Sequence, residues 1–241
     1  METVENGSFL FKFKSKISTL SGKRRKMTKR KFLKASIKFI AGIALFTGPL
    51  FLWVRLVHAK IQKMILPKNF PRRDLIDKNP ADLDTRNLNI TPLDNFKTMG
   101  ITDHQTDLNT WRLSIEGRVE RPLSLTYSQI LALPAFERDV LLICPGFFAN
   151  NGRWKGISLA RLFQKAGIKH GATLVAFSGP EGPYEKTESF NLKDVLSNEI
   201  FLAYGVNGKP LPIKHGFPLR VVAQGHYGFN WVKYVHKIRV N

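Results

Sequence analysis

The 241-residue chain has one cysteine and few acidic side chains: 18 Asp and Glu stand against 38 Lys and Arg. A single cysteine excludes an intrachain disulfide framework and any zinc site of the Cys-x-x-Cys type. Internal repeats are also lacking, which excludes solenoid and propeller arrays. The shortage of acid suggests a nucleic-acid binder, because excess Lys and Arg neutralises phosphate. The distribution of charge argues against it. Residues 1–73 carry 18 basic and 2 acidic residues, a net +16, whereas 74–241 carry 20 and 16, a net +4. The basicity belongs to an N-terminal arm, and no nucleic-acid partner is expected.

That arm is crowded with positive charge from Lys12 to Lys38, and an uncharged apolar run follows from Phe39 to Val54. Sixteen residues at about 1.5 Å each span about 24 Å, short of the roughly 30 Å hydrocarbon core. Snorkelling of Lys38 and Arg55 extends the reach, so residues 35–57 are expected to be a transmembrane or signal helix. The positive-inside bias places residues 1–34 in the cytoplasm and sends the body across the membrane, to the periplasmic side in a bacterium. Thr28-Lys29-Arg30-Lys31-Phe32-Leu33-Lys34 resembles a twin-arginine export signal, with Lys29 where the first arginine should stand. Val57-His58-Ala59 passes weakly as a signal-peptidase site, and retention of the segment as an anchor is the preferred reading.

Residues 58–90 read as an extended linker punctuated by Pro67, Pro71 and Pro80. From 91 to 241 a folded domain is expected. Strands are expected over Trp111–Val119, Val140–Cys144, Thr173–Phe177, Phe201–Val206, Leu219–Ala223 and Trp231–Val240. Helical stretches are expected over Leu125–Leu133, Leu159–Ala166 (closed by Gly167) and Asn191–Leu196. Short strands at this frequency, with few helices, indicate a strand-rich α+β domain.

Cys144 ends an apolar strand and is followed by Pro145-Gly146, a loop that would present a thiol to a pocket. A buried, inert cysteine is the commoner outcome of such a placement. Between Asn207 and Lys233, His215, Arg220, His226 and Lys233 lie among glycine-rich turns. This pattern suits an anionic, phosphate-bearing ligand, and equally a set of solvated surface charges.

Residues Leu202-Ala203-Tyr204-Gly205-Val206-Asn207-Gly208-Lys209-Pro210-Leu211-Pro212, then His215-Gly216-Phe217-Pro218-Leu219-Arg220, resemble the signature of the sulfite oxidase superfamily of molybdopterin-binding oxidoreductases. The resemblance continues through Gly225-His226-Tyr227-Gly228 to Trp231-Val232-Lys233, and includes Trp154-Lys155-Gly156 and Gly171-Ala172 upstream. It covers roughly 91–241. It implies a mixed-sheet or barrel-like fold and a molybdenum bound through a single pterin dithiolene, with no nucleotide extension. It further implies Cys144 as the protein's thiolate to the metal, a soft ligand suited to that ion. His215, Arg220, Trp231, Val232 and Lys233 would contact the pterin and its phosphate. Asp94-Asn95-Phe96-Lys97-Thr98 and Gly179 occupy further cofactor-contact positions. Tyr204 stands at the place of the active-site tyrosine, whose hydroxyl assists proton transfer. Arg153 falls either in the cofactor's outer surroundings or on the surface.

The departures bear on substrate. Sulfite oxidases carry arginines in the first cofactor loop and shortly after the ligand cysteine, where this chain reads Phe96-Lys97-Thr98 and Pro145-Gly146-Phe147-Phe148. A more apolar entrance is therefore expected, with Lys97 supplying some charge. The end at Asn241 leads to the expectation of a compact form without the immunoglobulin-like domain of sulfite oxidases. Such a form is similar to the periplasmic methionine-sulfoxide reductase catalytic subunits, although the Glu and Trp usual after their cysteine are missing. The expected activity is oxygen-atom transfer, reducing a small sulfur- or nitrogen-oxide substrate with electrons from a membrane haem or cytochrome partner. Sulfite oxidation and a catalytically silent anion-binding module are the alternatives.

Overall fold

A computed structural model describes residues 63–182 and 186–241, all within a compact unit spanning Ile61–Asn241. The basic arm and the apolar run of residues 35–57 lie outside the described residues. Among the described residues, no helix is long and apolar enough to cross a membrane.

The strands are β1 Met64–Ile65, β2 Leu83–Asp84, β3 Leu113–Gly117, β4 Leu123–Leu125, β5 Ala135–Cys144, β6 Phe148–Ile157, β7 Leu174–Ser178, β8 Thr187–Asn191, β9 Ile200–Val206, β10 Lys209–Pro210, β11 Arg220–Ala223 and β12 Lys237–Val240. Three short α-helices join them: α1 Tyr127–Leu131, α2 Leu159–Ala166 and α3 Leu192–Leu196. One five-stranded sheet runs β10-β9-β6-β5, with β11 also on β9, and a second runs β4-β3-β12-β7-β8. The second is mixed, since β12 is parallel to β3 and antiparallel to β7. The strand-rich α+β expectation holds, in the form of two open sheet orders rather than one closed barrel.

Local rules account for the helices. Thr126 caps α1 in a capping box with Gln129, each side chain bonding the other's backbone N–H. In α2, Leu159, Leu162, Phe163 and Ala166 are buried at i, i+3, i+4 and i+7, and Gly167 closes the helix at φ 70°.

Strands β5 and β6 form a hairpin in register from Ala135 opposite Ile157 to Cys144 opposite Phe148. At ten residues per strand the arm is roughly 30 Å long, and Cys144 sits at its tip. The strand expected over Val140–Cys144 thus extends back through Glu137, Arg138 and Asp139, where cross-strand pairing outweighs the charged pattern. Its apolar end is covered on both faces. Val140 and Leu142 enter the main core, while Leu141 and Ile143 join Ala149 against Leu66, Leu75, Leu83 and Leu88.

Residues 63–90, expected as an extended linker, are therefore packed on the back of the hairpin. Their prolines start short 3-10 turns at Arg72–Leu75 and Pro80–Asp82, which bring the leucines inward. The late strand also differs from expectation, because only Lys237–Val240 joins a sheet. Ahead of it, Val232 is buried and Tyr234 takes φ 56°, which interrupts the strand alternation. Consequently Trp231, Lys233 and Tyr234 all face one cavity.

Candidate active site

The tip of the β5–β6 hairpin opens onto a cavity of about 680 Å³. Its walls are the segment 96–103, Leu142, Cys144, Phe148, Asn150 and Trp154 from the hairpin, Gly179 and Pro180 after β7, Lys186, His215, Arg220, and the stretch from Gly228 to Tyr234. Asp103 is the one carboxylate among these residues, against four Lys and Arg.

On one side lie the sulfurs. Cys144 is partly exposed, and its Sγ stands 3.3 Å from the Sδ of Met99. Burial pushes the Cys144 thiol pKa up, so at neutral pH it carries its proton unless a metal displaces it. Among the described residues, no group of three or more His, Cys, Asp or Glu could hold a metal on its own. A metal here would have to bring most of its ligands with it.

The same cavity carries a largely buried cationic wall. Arg220 is 5% exposed, with its guanidinium between the rings of Trp154 and Trp231, 5.0 and 5.4 Å from their centroids. Its Nη1 donates to the His215 carbonyl at 2.9 Å, and no carboxylate pairs with it among the described residues. Burial lowers its pKa to about 9, so it remains a cation at neutral pH. His215 is 1% exposed, and its Nε2 has no hydrogen-bond partner among the described residues. Burial first, then Arg220, Lys214 and Lys233, lower its pKa to about 4. Lys233 sends its Nζ to the carbonyls of Met99 (2.9 Å) and Ile101, and burial and Arg220 lower its pKa to about 8. Gly216, at φ 108°, lets the chain turn between them, where a Cβ would stand 3.1 Å from the side chains of Arg220 and Lys233. Buried positive charge without acidic partners, beside an orphaned ring nitrogen, is costly unless an anion with hydrogen-bonding groups completes it.

A pair of asparagines holds the lining segment and the stretch that precedes it. Asn150 grips the backbone of Lys97, accepting from its N–H at 3.3 Å and donating to its carbonyl at 2.8 Å. Asn151, facing the other way along β6, donates to the Leu88 carbonyl at 2.9 Å, and its backbone N–H donates to Thr91 Oγ1 at 2.9 Å. Neither asparagine stood out in the sequence. The available signal was two adjacent amides in a strand, and their partners lie over 50 residues away.

Of the residues expected at the site, Phe96, Lys97, Thr98, Cys144, Gly179, His215, Arg220, Trp231 and Lys233 line the cavity. Val232 is buried behind it, its Cγ1 3.7 Å from where a Cβ of Gly179 would stand. Asp94 and Asn95 lie in the 3-10 turn Leu93–Asn95, which leads into the lining segment without belonging to it. Tyr204 is not among the lining residues. It is half-buried on β9 and packs against the main core, and after burial its nearness is the second cause raising the Tyr127 pKa. Tyr234, absent from the sequence expectations, is the tyrosine in the cavity, and its hydroxyl donates to the Ile101 carbonyl at 3.2 Å. Arg153 pairs with Asp139 at 2.8 Å on the hairpin's exposed edge.

Residues 99–241 match the family described as the oxidoreductase molybdopterin binding domain. The uncharacterized oxidoreductase YuiH of Bacillus subtilis (strain 168) is 30% identical over 154 residues, covering 64% of this chain and 76% of that protein. The protein-methionine-sulfoxide reductase catalytic subunit MsrP of Gluconobacter oxydans (strain 621H) is 32% identical over 175 residues, 63% of this chain and 55% of that one. A nitrate reductase [NADH] of Oryza sativa subsp. japonica is 32% identical over 164 residues, 56% of this chain but 18% of that one. Among solved structures, the sulfane dehydrogenase SoxCD from Paracoccus pantotrophus superposes with a TM-score of 0.53 at 26% identity, over 57% of this chain and 39% of that chain. The chain thus spans about half the length of the sulfoxide reductase subunit and under a fifth of the nitrate reductase.

Proposed function

The chain belongs to the molybdopterin-binding oxidoreductase domain family, and from that premise we propose that it reduces a sulfoxide-like substrate by oxygen-atom transfer. The residues present fit the implied cofactor. The orphaned Nε2 of His215 and the carboxylate-free guanidinium of Arg220 suit the pterin and its phosphate, with Lys233 beside them. Cys144 supplies one soft thiolate, enough for a metal whose other sulfur donors come from a single pterin dithiolene. When bound, that group supplies a metal centre that takes up or releases an oxygen atom with two electrons.

The observation that carries the substrate reading is the rim around Cys144. Met99 and Phe148 stand beside the thiol, Phe229 lines the same cavity, and the cations Arg220 and Lys233 are turned to backbone carbonyls. A neutral sulfoxide carrying an apolar substituent suits such an entrance better than a dianion, which would be left partly unpaired. Burial keeps the Tyr234 phenol protonated, so in this reading it, and not the set-back Tyr204, is the cavity hydroxyl that would turn from the Ile101 carbonyl to donate to a bound oxygen. The similarity to the sulfoxide reductase subunit supports the same reading.

A second reading rests on Lys97, whose ammonium lines the cavity without a partner among the described residues and favours an anion such as sulfite. In both readings the N-terminal basic arm and apolar run support an exported, membrane-anchored protein that exchanges electrons with a membrane haem or cytochrome partner. Assays in parallel decide between them: reduced viologen with methionine sulfoxide, dimethyl sulfoxide or nitrate, and ferricyanide with sulfite. Sulfoxide-dependent viologen oxidation is expected. Sulfite-dependent ferricyanide reduction without sulfoxide turnover would overturn it.

A further inference from the structure

Met99 is a thioether placed against the thiol that would hold the metal. Its Sδ lies 3.3 Å from Cys144 Sγ, so it occupies the neighbourhood in which a sulfur substrate would react. The placement is imposed by the backbone on both sides. Asn150 grips Lys97, Thr98 Oγ1 donates to the Lys214 carbonyl at 3.4 Å, and Lys233 Nζ holds the carbonyls of Met99 and Ile101. The side chain itself is half open to solvent. Met99 is 48% exposed, and a Cβ on the neighbouring Gly100 would meet nothing within 4 Å. Oxidants therefore reach the sulfur, and the flexible side chain has room to present its oxidised form.

We propose that Met99 is an internal substrate, whose sulfoxide is reduced by the same centre that takes external substrate; this rests on the sulfoxide-reducing reading above. In the forward step, hypochlorite oxidises the thioether: a sulfur–oxygen bond forms, sulfur loses two electrons, and the oxidant leaves as chloride. In the return step, two electrons from a low-potential donor such as reduced viologen and two protons from solvent break that bond. The oxygen leaves as water and the thioether is restored. Tethering makes the return reaction intramolecular, so it should outrun reduction of any sulfoxide elsewhere on the surface. The consequence is a site that repairs the oxidisable residue at its own mouth.

The test uses the full-length, cofactor-loaded protein, oxidised with limiting hypochlorite and then freed of oxidant. Peptide mass spectrometry follows the added oxygen on Met99 and on Met64, which is 43% exposed and serves as the internal control. On adding reduced viologen without air, the Met99 sulfoxide should disappear at a rate independent of protein concentration, at least about tenfold faster than that of Met64. It should persist in Cys144→Ala and, as a control that does not depend on that variant folding, in cofactor-free wild-type protein. Persistence of the Met99 sulfoxide while added methionine sulfoxide is turned over would overturn the internal-substrate proposal and leave the function standing. If neither sulfoxide is reduced, both readings fail. Resistance of Met99 to oxidation, or equal repair without the cofactor, would also overturn the proposal.

Discussion

The two walls of the cavity are built on different terms. On the cationic side, His215, Arg220 and Trp231 are almost wholly buried, and the Arg220 charge is offset by a carbonyl and aromatic faces instead of carboxylates. On the sulfur side, Cys144 and Met99 are partly open, and Phe229, on the same cavity, is exposed. Removing two charged or polar groups from water costs far more than exposing a few apolar ones. The cationic wall is thus committed to one kind of ligand, whereas the sulfur rim can vary with substrate at little cost to the fold.

The sharpest way to break this contrast is at Cys144, the thiolate proposed to hold the metal. Cys144→Ala should lower molybdenum occupancy and turnover by more than about a hundredfold, beyond the usual effect of losing an outer-shell partner, with the melting temperature of the cofactor-free protein little changed. Metal analysis beside calorimetry checks both halves. A Cys144→Ala protein that keeps its metal would show that the rim does not hold it.

Arg220→Met tests the opposite wall. Cofactor retention should fall by at least about tenfold, yet the cofactor-free protein should be as stable or more stable, by up to about 1–4 kcal/mol, because an unpaired buried charge has been replaced by an apolar side chain. Urea unfolding of both forms separates the effects. A cofactor-free variant that is strongly destabilised would mean that the guanidinium is structural and not held in readiness for an anion.

His215 gives a pH signature to the same wall. Its folded pKa of about 4 lies below the usual 6.5, so between these values the unfolded chain takes up a proton that the folded one refuses. Stability of the cofactor-free protein should therefore fall as pH drops from about 6.5 to about 4 and be insensitive to this group above 6.5. Relative to His215→Gln, the difference at pH 4 should be on the order of 3 kcal/mol. Matching urea midpoints for the two proteins across that range would remove the desolvation argument.

A smaller effect is expected where the walls are joined. Asn150→Ala strands the N–H and carbonyl of Lys97 and should cost about 1–3 kcal/mol of stability. It should also loosen Met99 and raise KM for added sulfoxide more than it lowers kcat. An unchanged KM would show that the segment 96–99 keeps its place without the asparagine.

Much of the cationic wall was readable in the chain, because its residues lie within 19 positions of one another and carry the turns that bring them together. Cys144 was readable as a candidate ligand only through those neighbours, since an apolar strand ending in a thiol is more often inert. The Tyr204 expectation shows where reading stops. A tyrosine on a strand faces one side or the other according to register, and the bulge between Lys155 and Gly156 shifts the pairing of β6 with β9 at this point. Tyr234 reaches the cavity through a left-handed backbone turn that no periodic pattern announces.

Local order in the chain was enough for the strand-rich class, the helix Leu159–Ala166 with its glycine stop, and the grouping of His215, Arg220 and Lys233. These depend on spacing within a few turns of backbone, which is written directly in residue order. The packing of residues 63–90 against the hairpin, the asparagine grip on Lys97 and the meeting of Met99 with Cys144 depend on contacts between distant segments. Such contacts are selected by which faces remain to be covered once the sheets have formed, and that selection exists only in the folded molecule.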